Sequence, residues 1–246
     1  MTGVSTRLAT YLDQRRRLGE PGIVPAGLEA GEILRLVRAR ATSGPSKPAG
    51  IVSVGARGAG VVSDDYEALR AAAMACTRCR LADGRKTVVF ADGNPAARLM
   101  VVGEAPGARE DATGLPFVGQ AGRLLDLMLA SVALSRRDSV YICNVLKCRP
   151  PGNRNPQPDE IESCAPLLKR QIELVAPEVL LAVGSFAAQW LTTSRGALGK
   201  LRGKVYSYQG VPLVVTYHPA ALLRNPGWSR LAWDDLQLLR QVMDGR

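Results

Sequence analysis

The sequence predicts an α/β protein: a three-layer α/β/α sandwich around a central four-stranded parallel sheet, preceded by a helical or partly disordered N-terminal extension. Two observations carry this expectation. Four short runs, residues 99–102, 140–143, 179–183 and 213–217, are rich in Val and Leu and do not alternate, as in strands covered on both faces. Stretches with helical spacing of apolar residues fall between them, and strand–helix alternation builds a parallel sheet with helices on both sides.

In chain order, residues 1–63 read as an N-terminal extension and linker, and residues 64–246 as the main domain. The extension holds Arg15-Arg16-Arg17 and two segments of roughly helical spacing, 5–18 and 28–41. The stretch Ser43-Gly44-Pro45-Ser46-Lys47-Pro48-Ala49-Gly50 is a linker by composition. A helix over 66–75 runs into the first cysteine. Further helices are expected over 120–133, 158–175, 185–193 and 229–243. Pro158 suits a first helical position, and Asp159 and Glu160 complement the positive end of that helix.

With 246 residues, 46% of them apolar, the chain is long enough for one core of about 150 to 200 residues and an appendage. Its net charge of +10 favours a polyanionic partner, and nine basic against four acidic residues in 1–63 show that both parts share the bias. No run of 18 apolar residues and no signal-like start occur, so the expected setting is the cytoplasm or nucleoid, without a membrane. There the five cysteines stay reduced, and their spacing points to a metal or cluster site rather than disulfides.

Cys76 and Cys79 form a C-x2-C pair, with Cys148 and Cys164 far downstream. Four thiolates hold either zinc or a [4Fe–4S] cluster. The wide second pair, with Pro150 and Pro151 after Cys148, favours the cluster; zinc and unrelated buried cysteines are the alternatives. Cys143, inside an apolar strand, reads as a small buried thiol.

Ligands bind beyond the carboxyl ends of parallel strands, so the loops there should converge. The first is Gly103-Glu104-Ala105-Pro106-Gly107, whose small residues let backbone N–H groups approach an anion or carbonyl while Glu104 points into the site. The second starts at Asn144, whose amide offers the donor and acceptor that match the N3–H and O4 edge of a uracil-like ring. The fourth holds His218, the only histidine, suited to donate toward growing negative charge on a leaving group. Phe117 offers a stacking face. Each residue alone also fits a bland role: turn, helix cap or core.

Taken together, Cys76-x2-Cys79, Gly103-Glu104-Ala105-Pro106-Gly107, Gly114-Leu115-Pro116-Phe117-Val118-Gly119, Asn144-Val145-Leu146-Lys147-Cys148-Arg149-Pro150-Pro151 and His218-Pro219-Ala220 resemble the family 4, iron–sulfur uracil-DNA glycosylases over about residues 66–243. The resemblance implies an enzyme that flips uracil out of single-stranded, U·G and U·A DNA and hydrolyses its N-glycosidic bond, leaving an abasic site. It implies a structural [4Fe–4S] cluster on Cys76, Cys79, Cys148 and Cys164. By the same likeness Phe117 stacks on uracil, Asn144 reads its edge and His218 stabilises the departing anion. Glu104 helps position water, with backbone N–H groups near Ala105 contributing; this family lacks the aspartate that other uracil glycosylases place in that turn. Arg109, Arg123, Lys147, Arg149, Arg154 and Arg224 are candidate phosphate contacts, and Leu222-Leu223 a candidate wedge for the gap left by the flipped base. The expected partner is uracil-containing DNA, with the protein a monomer and the extension open to other repair or replication proteins. The runner-up is a covalent or non-catalytic uracil-DNA-binding relative. The covalent one carries Gln where Ala105 stands and a nucleophilic histidine in a basic loop, whereas residues 192–203 here hold no histidine.

Overall fold

Runs of Val, Leu and Ile between residues 99 and 216 pair with one another in a computed structural model that describes residues 64–245. The elements are α1 (Asp64–Met74), α2 (Leu81–Gly84), β1 (Asp92–Gly93), β2 (Leu99–Gly103), α3 (Ala108–Thr113), α4 (Gln120–Ser131), β3 (Val140–Asn144) and α5 (Pro158–Val175). Then follow β4 (Val179–Val183), α6 (Ser185–Thr192), α7 (Leu198–Leu201), β5 (Val205–Tyr208), β6 (Val211–Thr216), α8 (Pro219–Arg224) and α9 (Ser229–Met243). The two segments and the linker expected within 1–63 lie outside the described residues.

The expectation of a four-stranded parallel sheet needs correction. The sheet has six strands in the order β1-β3-β2-β4-β6-β5 and is mixed. The inner four, β3, β2, β4 and β6, are parallel, while β1 and β5 run antiparallel on the two edges. β5 joins β6 through Gln209 and Gly210, both at positive φ (50° and 87°), the two-residue turn whose twist matches that of a hairpin. Its residues are half-exposed in alternation, as on an edge.

The three layers are as expected. Leu99 and Val101 face a cluster with Leu125 and Leu129 of α4 and Leu236 and Leu239 of α9. Met100 and Val102 face the opposite cluster, with Leu168 and Ile172 of α5 and Ala187 and Leu191 of α6. Each fully buried Leu of this kind contributes about 1.5–3 kcal/mol of transfer free energy. Pro158 stands at the start of α5, where Glu160 accepts the Gln157 N–H at 2.9 Å and closes a capping box. Among the described residues no helix is long and apolar enough to cross a membrane.

Candidate active site

β2 and β3 end side by side, with Gly103 opposite Asn144. Beyond them the chains stay laced: Val145 N donates to Gly103 O at 2.9 Å and Leu146 N to Glu104 O at 3.0 Å. A cleft of about 780 Å³ opens over these carboxyl ends, lined by Glu104, Phe117, Asn144 and His218 together with Ala105 and Gly107. The third loop, Gly184-Ser185-Phe186, lines it as well. All four loops therefore converge.

Asn144 is 2% exposed, and its Oδ1 has no hydrogen-bond partner among the described residues. A buried acceptor left in that state costs about 1–3 kcal/mol, which a ligand N–H would recover. Gly103 is required beside it. A Cβ there would stand 2.4 Å from Asn144 Oδ1 and 2.5 Å from Phe117 Cζ.

His218 caps α8, and its Nδ1 accepts the Ala220 N–H at 3.2 Å, which puts the proton of a neutral ring on Nε2. Burial, then the nearby positive charge of Arg224, lowers its pKa from 6.5 to about 4. The imidazole is thus a neutral donor at neutral pH. Gly184, at φ +94°, lets the third loop pass close, since a Cβ would meet His218 Cβ at 3.0 Å. Burial alone raises the pKa of Glu104.

Phe117 stacks on His218, ring centres 5.5 Å apart and planes 30° from parallel. Its φ of +55° is unusual for an aromatic residue, and the backbone around it is held from two sides. Arg136 donates to Pro116 O at 2.9 Å and to Phe117 O at 2.7 Å. The carboxylate of Glu110 accepts from Val118 N and Gly119 N, both at 2.9 Å. Arg136 is fixed in turn by Asp92 of β1 at 3.0 Å and Asp126 of α4 at 2.9 Å. Sequence reasoning missed both residues. Glu110 reads as an ordinary first-turn acid of α3, and no local pattern around Arg136 announces a contact made 19 residues away.

The basic and apolar candidates divide. Arg109, Arg123 and Arg224 are exposed, and Arg154 and Arg224 line the cleft. Arg154 also forms a two-toothed pair with Glu160, at 2.9 and 2.5 Å, and Arg149 donates to Asn153 at 2.8 Å. Lys147 is a correction. It is 1% exposed and its Nζ donates to Asn144 O at 2.7 Å, so its charge is spent inside the turn and cannot meet a phosphate. Leu222 is a second correction: at 4% exposure it packs into the core with α4 and α9, so of the wedge candidates Leu223, 47% exposed, is the one at the surface.

Cys76, Cys79, Cys148 and Cys164 line one small pocket, which encloses only about 10 Å³. Arg85 donates to Cys148 Sγ at 3.4 Å and to Cys76 O at 2.7 Å, and the Lys147 N–H donates to Cys164 Sγ at 3.3 Å. Among the described residues no three His, Cys, Asp or Glu side chains form a group that could hold a metal ion. Cys143 is apart from the four, fully buried in β3.

Residues 90–237 match the family described as the uracil DNA glycosylase superfamily. A type-4 uracil-DNA glycosylase of Sulfurisphaera tokodaii is 39% identical over 187 residues, 73% of this chain and 85% of the relative. Those of Archaeoglobus fulgidus and Thermotoga maritima are each 45% identical, over 161 and 152 residues, covering 62% and 61% of this chain and 80% and 79% of theirs. A family match across most of the described fold, together with these relatives, establishes that the chain belongs to the uracil DNA glycosylase superfamily, among its type-4 members.

Proposed function

We propose that the protein removes uracil from DNA by hydrolysing the bond between N1 of the base and C1′ of the sugar. The observation that carries the reading is the buried Asn144 Oδ1, without a partner among the described residues, beside the stacked pair Phe117 and His218. An extruded uracil offers that oxygen its N3–H, and cytosine, with an acceptor at N3, does not. Phe117 supplies the stacking face. The family membership and the names of the relatives support the same assignment.

As the glycosidic bond stretches, the base gathers negative charge and the sugar positive. The Nε2–H of His218 lies ready to donate to the first without itself gaining a proton. Glu104, whose burial favours the protonated form, serves the second as an acceptor for a water proton and as a nearby negative charge once ionised. Backbone N–H groups near Ala105 assist in holding that water.

Cys76, Cys79, Cys148 and Cys164 would hold a [4Fe–4S] cluster, an anchor for the Asn144 turn. Although the four do not gather into a group that would hold a single metal ion, an all-sulfur set on one pocket, with N–H donors from Arg85 and Lys147 directed at two of the sulfurs, suits thiolate ligands of a larger cluster. Replacing the C–N bond by C–O changes no oxidation state, so the hydrolysis itself calls on no electron transfer.

The test is a time course of free uracil release from deoxyuridine-containing strands, with Asn144→Ala and His218→Ala alongside. Each variant should keep its circular dichroism spectrum and lose about 100- to 1,000-fold in kcat. Wild-type protein that leaves uracil in place in single strands, U·G and U·A alike overturns the reading. A denaturation-resistant adduct instead of turnover assigns the covalent alternative.

A further inference from the structure

Beside the cleft stands an aromatic stack that the uracil chemistry does not use. Trp228 ends a short 3-10 turn, Pro226–Trp228, and its ring lies 4.9 Å from that of Tyr217 with planes 21° apart. The guanidinium carbon of Arg202 sits 5.2 Å from the centre of the same tyrosine ring. Arg202 is itself tied to the fully buried Asp235, at 3.0 and 2.9 Å, and Asp235 also accepts from Thr216 Oγ1 at 2.9 Å. The base of the stack is therefore fixed to the end of β6.

Trp228 is nevertheless 40% exposed, and it lines the same cleft as His218 and Phe117. A tryptophan normally covers most of its large surface, and one held rigid at a cleft mouth with part of its ring in water is preorganised for a flat ligand. Exposed Arg224 lines the cleft with it, and exposed Leu223 stands next in the chain, which brings positive charge and apolar surface to the same rim. These are the features of surfaces that bind unpaired strands: cations along the backbone and an aromatic face for a base.

We propose that Trp228 is a stacking platform for an unpaired nucleobase next to the extruded uracil. The inference rests on the glycosylase reading and extends it to the strand outside the pocket. Duplex bases already stack on both neighbours, so the platform gains little from paired DNA. Single strands, or a duplex opened at the lesion, gain most. Any base serves, because each has a π face.

The experiment measures fluorescence anisotropy of a labelled single strand and of the matching duplex, with Trp228→Ala and Trp228→Phe, in parallel with uracil release. The alanine variant should bind the single strand about 5- to 160-fold more weakly, the range of one lost base stack, and the duplex less than about twofold more weakly. The phenylalanine variant should recover most of the loss. Equal weakening on both DNAs, no weakening on the single strand, or failure of phenylalanine to recover binding overturns the platform. If the wild type releases uracil while Trp228→Ala binds single strands normally, the platform alone falls; if the wild type releases none, the glycosylase reading falls first.

Discussion

His218 stays a neutral ring because burial and the nearby Arg224 charge disfavour a second proton. Its pKa in the fold, about 4, lies below the ordinary 6.5 of the unfolded chain. The unfolded state therefore takes up a proton first, and the stability tied to this residue is complete above pH 6.5 and lost as pH falls toward 4. We expect denaturant titrations at stepped pH to show that decline, and His218→Asn to remove the part of it that belongs to this ring. A pH dependence identical in the variant would refute the neutral-donor geometry. If Glu104 acts on water and sugar as proposed, Glu104→Gln should slow uracil release about 100-fold or more while leaving KM nearly unchanged, since base binding would not depend on it. At this scale the sequence was informative: strand-end position alone brought Glu104, Asn144 and His218 into one cleft. It did not show that Lys147 turns inward or that Leu222 joins the core, since basic and apolar side chains in loops and short helices take either direction.

Among elements, the loop before α4 depends on supports from far along the chain. Arg136 holds the carbonyls of Pro116 and Phe117, Glu110 holds the N–H groups that follow, and the two-residue strand β1 supplies Asp92 to steady Arg136. Arg136→Gln should lower kcat/KM by about 100-fold through misplacement of the stacking ring. If Arg136 acts through Phe117, the same substitution made on Phe117→Ala should cost little more; full additivity in that double-mutant cycle would show the arginine to be merely structural. Gly103→Ala should abolish uracil release by forcing Asn144 and Phe117 apart, measurable in a single-turnover assay. The inner strands were legible because burial on both faces writes a continuous apolar run. The edge strands were not: β1 is two residues long, and β5, half in solvent, has no such run, although Gln209-Gly210 is a hairpin turn that could have signalled it.

For the molecule as a whole, purified protein should contain iron and absorb across the visible range. Cys164→Ser should lose both and melt more than about 5 °C lower, followed by differential scanning calorimetry. Activity on single strands and U·G should at least equal that on U·A, because a weakly paired base costs less to extrude. A strong preference for U·A in competition assays would count against extrusion as the selective step. Asn144 and Cys148 bound a single short turn: the first lines the cleft, the second the cysteine pocket, and Lys147 fastens both sides of it through Asn144 O and Cys164 Sγ. Such a span acts as a fixed ruler. One inserted residue would leave it too long, so that either the amide swings off its mark or the thiol drifts from its neighbours; length here is as constrained as identity, and the two ends can vary only in concert.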